Sequence, residues 1–162
     1  MNIVTRTAMI LAVAAGTFSA ATVPASASAA APRPASASAS ASLADGYVYA
    51  WVDANKRGYS CAWVYNDRDW SNCTARNSTV VRNMRRKASS LLNNGYAATN
   101  DKVNFYYGLN YTGSWACLGR GDQWLNLASP PRTFTWGTAG PGYREPINDK
   151  ISSHKWVSYC GH

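Results

Sequence analysis

The sequence predicts an all-β domain held by two disulfides, and three observations carry that expectation. After residue 44 no window sustains the apolar period of a helix, whereas short alternating runs rich in Tyr, Val and Trp recur between clusters of Gly, Asn and Asp. Tyr and Trp supply most of the 12% aromatic content of the 162 residues, and such side chains bury large apolar area while keeping a polar handle, which marks a folded chain. The four cysteines, Cys61, Cys73, Cys117 and Cys160, are an even number and all lie in that same stretch.

Residues 1–29 read as a secretory signal peptide. Arg6 gives the positive start, residues 8–15 are apolar but shorter than the roughly 20 residues of a membrane span, and Ala25-Ser26-Ala27 and Ala27-Ser28-Ala29 suit a signal peptidase. The expected location is therefore secreted and extracellular, with no membrane span. Residues 30–44 are Ala, Ser and Pro with little else, which cannot bury enough apolar surface to offset the entropy of ordering, so they read as a disordered linker. The folded domain is expected over residues 45–162.

Within it, strands are expected at 47–52, 59–64, 103–107, 114–118 and 155–159, with turns at Asn93-Asn94-Gly95 and Pro141-Gly142. Residues 80–92, carrying Arg82, Arg85, Arg86 and Lys87, read as a helical turn with a solvated basic face. An exported chain meets an oxidising environment, so the cysteines pair. Of three connectivities, nearness along the chain and an internal repeat favour Cys61 with Cys73 and Cys117 with Cys160; spacings of 12, 44 and 43 residues lack the short paired thiolates of a zinc site.

The repeat is an aromatic, four residues, a second side chain, one residue, then Gly. It occurs as Trp51, Lys56 and Gly58 and again as Tyr106, Tyr111 and Gly113. Each copy precedes a run containing Cys (Cys61, Cys117) and, later, a Ser-Ser pair (Ser89-Ser90, Ser152-Ser153). Gly suits a folded-over hairpin that needs positive φ, with the aromatic packing across it.

On these motifs the chain resembles the βγ-crystallin family over about residues 46–160, and the resemblance implies a βγ-crystallin-like sandwich of two Greek-key motifs. A narrower resemblance rests on YAWVDANKRGYSCAW, KASSLLNNG, YYGLNYTGSWACLGRGDQWLNL and SSHKWVSYC. These segments are similar to those of secreted actinobacterial peptidase inhibitors of the metalloproteinase-inhibitor type, which implies a partner that is an extracellular peptidase, in particular a metallopeptidase; a monomer is expected.

The crystallin resemblance further implies a calcium signature, Asn/Asp-Asn/Asp-x-x-Ser/Thr-Ser, once per motif and used crosswise. Asn148-Asp149-Lys150-Ile151-Ser152-Ser153 satisfies it, whereas Arg85-Arg86-Lys87-Ala88-Ser89-Ser90 places two cations where ligands belong. Fixed positive charges repel a dication by ~1 kcal/mol or more even in a watery setting. One site, Asn148 and Asp149 with Ser89, would remain, and the site pairing Arg85 or Arg86 with Ser152 would be lost or filled by a guanidinium. No cofactor is required and at most one weakly bound calcium is expected. The structural alternative is that both Ser-Ser pairs simply hydrogen-bond the adjoining turn.

Residues 129–143, SPPRTFTWGTAGPGY, form the longest connection of the second motif, stiffened by Pro130, Pro131 and Pro141. If they contact a peptidase, Arg132, Phe134 and Trp136 are the candidate contacts; if not, the aromatics cover the end of the sandwich.

Catalysis finds no support. Two histidines exclude a three-imidazole or His-Glu-x-x-His zinc site, Glu145 is the only glutamate, and no Gly-x-Ser-x-Gly elbow exists. The net charge of +8 is scattered apart from the 82–87 cluster, so nucleic acid is not expected as a partner. The alternatives to an inhibitor are a secreted crystallin-type binding module for calcium or cell-wall polysaccharide, and an antimicrobial toxin-like protein.

Overall fold

Alternation in β1 (Tyr47–Asp53) buries Val48 and Ala50 completely and leaves Tyr47, Tyr49 and Trp51 on the opposite face. Their rings line up at 5.9 and 5.5 Å between centroids. The computed structural model describes residues 43–161, so the signal peptide expected at 1–29 and the linker up to residue 42 lie outside the described residues. The further strands are β2 (Arg57–Trp63), β3 (Ser90–Asn94), β4 (Lys102–Tyr106), β5 (Trp115–Leu118), β6 (Gln123–Trp124) and β7 (Ser153–Val157).

They form two antiparallel sheets, ordered β2-β1-β3-β6 and β5-β4-β7. The register places Ala50 opposite both Cys61 and Leu91, and Phe105 opposite both Ala116 and His154. β6 belongs to the second half of the sequence yet pairs with β3 of the first, Leu91 opposite Trp124. Reciprocally, Asp67 of the first half pairs with His154 on β7 of the second. Each half thus lends its third extended segment to the other's sheet, which is the expected sandwich of two Greek-key motifs. Between the sheets lie Val48, Leu91, Val103, Phe105 and Leu118, with Trp70, Met84, Leu127, Phe134, Ile147 and Ile151 completing the core from the connections.

The folded-over hairpins appear twice, as the sequence repeat predicts. Gly58 (φ +71) and Gly113 (φ +75) are left-handed, and a Cβ on Gly113 would stand 2.8 Å from the Pro141 carbonyl oxygen. The second serine of each Ser-Ser pair latches its hairpin. Ser90 Oγ accepts from Lys56 N–H (3.1 Å) and donates to the Asp53 carbonyl (2.8 Å), and Ser153 Oγ does the same with Tyr111 N–H (3.1 Å) and the Gly108 carbonyl (2.7 Å). Each hairpin tip also donates to the other half, Asn55 N–H to Leu125 O (2.6 Å) and Asn110 N–H to Arg68 O (3.0 Å).

The disulfides are Cys61–Cys73 and Cys117–Cys160, as favoured from the sequence. The expected helical turn at 80–92 is absent. Arg82 exchanges backbone bonds with Cys73 (2.9 and 2.7 Å), and Met84 and Arg85 donate to the Trp70 carbonyl (2.9 and 3.0 Å), so these partners draw the segment out and its end becomes β3. Its basic residues other than the partly covered Arg85 are exposed, while Met84 and Ala88 plug the core.

Candidate functional site

Two turns meet crosswise beside the ends of β3 and β7, and they bring together the residues of the expected calcium signature. Arg86 and Asp149 occupy equivalent left-handed positions, both at φ +56. Arg86 N–H donates to Ile151 O at 2.8 Å, and Asp149 N–H donates to Ala88 O at 3.1 Å. The two turns therefore share their backbone conformation and cross-bonding, and differ in their side chains.

On the acidic side, Ser89 Oγ lies 3.5 Å from Asp149 Oδ1, and Asn148 Nδ2 donates to Asp149 Oδ2 at 2.8 Å. Burial pushes the Asp149 carboxyl pKa up against the opposing hydrogen bonds from Ser89 and Asn148, the response of a carboxylate short of positive partners. Asn148 Oδ1 is buried without a hydrogen-bond partner among the described residues. These are hard oxygen donors that suit a calcium ion, but with a single carboxylate; no group of three or more His, Cys, Asp or Glu exists among the described residues. On the basic side, the Arg86 guanidinium lies 5.4 Å from the centroid of the Tyr107 ring, a cation–π contact. Ser152 Oγ, the other hydroxyl of the expected signature, is buried with no partner among the described residues.

The three residues expected as enzyme contacts separate. Phe134 is fully buried, edge-on to Tyr107 at 5.7 Å, and cannot touch a partner; this corrects its reading as an exposed anchor. Its N–H donates to Glu145 O and its carbonyl accepts from Arg144 N–H (3.1 and 2.9 Å), a two-rung ladder that turns the side chain inward. Trp136 is half-buried and pairs by backbone with Trp115. Arg132 is exposed, its guanidinium 4.8 Å over the Trp124 ring.

The longest exposed run at this connection is the tight loop 128–132, Ala-Ser-Pro-Pro-Arg; Thr135, Thr138, Ala139 and Pro141 are exposed as well. Asn126 Oδ1 accepts from Ala128 and Ser129 N–H (2.9 and 3.2 Å), Arg132 N–H donates to Leu127 O (3.3 Å), and Ile147 N–H donates to Arg132 O (2.9 Å). Both stems are thus fixed to the core, and two prolines hold the tip. The burial of Phe134 was not legible in the sequence because the ladder that turns it inward is too short to leave an alternating pattern.

Comparison with known proteins places these features in context. Residues 36–118 match the family described as Peptidase inhibitor family I36. No curated protein sequence matches the chain. Among solved structures the chain is similar to a βγ-crystallin from an archaeon (18% identity, 68% of this chain, 96% of that one, TM-score 0.44). It is also similar to a βγ-crystallin from Ciona intestinalis (14%, 68% and 99%, TM-score 0.44) and to spherulin 3A from Physarum polycephalum (18%, 75% and 91%, TM-score 0.43).

Proposed function

The chain belongs to peptidase inhibitor family I36, and we propose on that premise that it is a secreted inhibitor of an extracellular metallopeptidase. It is not an enzyme, and inhibition asks for no catalytic group, only a stiff surface that enters a cleft with little entropy to lose. The observation that carries the reading to a place on the molecule is the loop 128–132, exposed along its length and hydrogen-bonded at both stems. Arg132 is the exposed charged side chain at its end. Residual activity of thermolysin-like, subtilisin-like and trypsin-like enzymes, titrated with the purified protein, tests the proposal. Thermolysin-like activity is expected to fall, and Arg132→Glu to weaken that inhibition by about tenfold or more at an unchanged melting temperature. Full activity of all three enzymes at excess protein would sink the reading, and a normal Arg132→Glu inhibitor would move the contact away from this loop.

A second reading rests on the orphaned Asn148 Oδ1 beside the Asp149 carboxylate: one calcium ion held by Asn148, Asp149 and Ser89. With one carboxylate the affinity falls in the range of about 10⁻⁴ to 10⁻³ M. Calorimetric titration should give no more than one site, lost in Asp149→Asn; two tight sites would refute the exclusion of the Arg86 side.

A further inference from the structure

A groove lies at the end of the sandwich away from the crossed turns, between the chain entering β1, the 64–66 segment after β2, the 95–100 connection and Trp156 of β7. Its volume is about 440 Å³, and no charged side chain among the described residues lines it, although the chain carries +8. Tyr65 and Tyr96 stand at its rim with 81% and 62% of their surface exposed, and Asn66, Asn100 and Trp156 lie between. A second cavity of about 360 Å³ adjoins it across Asn100 and Trp156, which line both; Asn104, Lys155 and Tyr159 extend the wall there.

The groove is built rather than incidental. Gly46 (φ +86) and Gly95 make room for its rings: a Cβ on Gly46 would stand 2.6 Å from Tyr96 Cε2, and one on Gly95 would stand 2.7 Å from Trp156 Cζ3. Trp156 N–H donates to Asn66 Oδ1 at 2.7 Å, and the buried His154 Nε2 bonds the Tyr65 carbonyl at 3.0 Å, so the wall carrying Tyr65 is tied to β7. Two polar atoms beside the two cavities, the donor Trp156 Nε1 and the acceptor Asn104 Oδ1 of the second cavity's wall, are buried with no hydrogen-bond partner among the described residues.

We propose that this groove binds a neutral oligosaccharide. A sugar ring offers an apolar C–H face and an edge of hydroxyls that both donate and accept. Flat exposed tyrosines match the face, and the side-chain amides of Asn66 and Asn100 match the edge. The uncharged main groove on a basic molecule argues against an acidic glycan or a nucleic acid, both of which would draw lysine and arginine to the lining.

The test is calorimetric titration of the full domain with cellohexaose, chitohexaose and laminarihexaose, with Tyr65→Ala, Tyr96→Ala and, as a control outside the groove, Val81→Ala. At least one hexasaccharide should bind more tightly than about 1 mM. Each tyrosine variant should weaken it by about tenfold or more at an unchanged melting temperature, and Val81→Ala should leave it unaltered. Failure of all three sugars, or binding that survives both tyrosine variants, overturns the proposal. So does a Tyr65→Ala variant that loses peptidase inhibition without sugar binding ever being seen, or sedimentation in which Tyr96→Ala breaks a dimer, since the occupant would then be the peptidase or a second copy. Sugar binding and peptidase inhibition are read separately, so either can fail while the other stands.

Discussion

His154 shows how a single residue changes meaning between sequence and structure. Beside Asp149, Ser152 and Ser153 it has the look of a catalytic remnant, yet it is fully buried, and its Nδ1 accepts from Trp70 Nε1–H at 2.8 Å. That bond fixes the tautomer: Nε2 carries the proton and donates to the Tyr65 carbonyl. Burial lowers its pKa from 6.5 to about 3, with the Tyr65 bond opposing. Between those values the unfolded chain binds a proton that the folded chain refuses, so stability is complete above pH 6.5 and declines as pH falls toward 3, by on the order of 5 kcal/mol in full. Thermal melts from pH 7 to pH 4 should show that decline, and His154→Gln, which keeps a donor within reach of Tyr65, should flatten it even if its melting temperature at pH 7 is lower. An unchanged slope would assign the acid sensitivity to other groups. The signal for a core histidine was present in the alternation of β7, where His154 and Trp156 share a face and Lys155 takes the other.

The folded-over hairpins were the most legible elements, because only Gly suits Gly58 and Gly113 and that need leaves a mark at fixed spacing. β3 and β6 left none. β3 is buried at four of its five positions and so does not alternate, and β6 has only two residues. The roles of the adjoining serines were equally hidden, since Ser-Ser reads the same whichever member works. The structure separates them: Ser153 Oγ makes two hydrogen bonds that hold a hairpin, whereas Ser152 Oγ makes none. Ser153→Ala should therefore cost about 1 to 3 kcal/mol in chemical denaturation, and Ser152→Ala should be neutral or slightly stabilising. Equal losses from both would mean that Ser152 has a partner in solution.

For the molecule as a whole, exchange of the third segments makes each sheet depend on both halves. β6 closes the first sheet, Asp67 bonds β7 in the second, and the hairpin tips reach across as well. Unfolding should accordingly be one cooperative transition, with near- and far-ultraviolet circular dichroism tracing the same curve, and a fragment ending before β4 should not fold. Separate transitions by the two probes would show the halves to be independent. The sequence made two motifs visible through their repeat, but the exchange between them leaves no local signature. The second disulfide has a consequence for a protein that meets proteases. Hydrolysis after Arg132 would place Cys117 on one piece and Cys160 on the other, so the nicked chain stays a single covalent molecule. Backbone bonds from Ile147 to Arg132 and between Phe134 and its two partners hold the new ends beside one another. A severed peptide bond whose ends cannot diffuse apart is open to being resealed, and the scissors close on a strand that never leaves the blades.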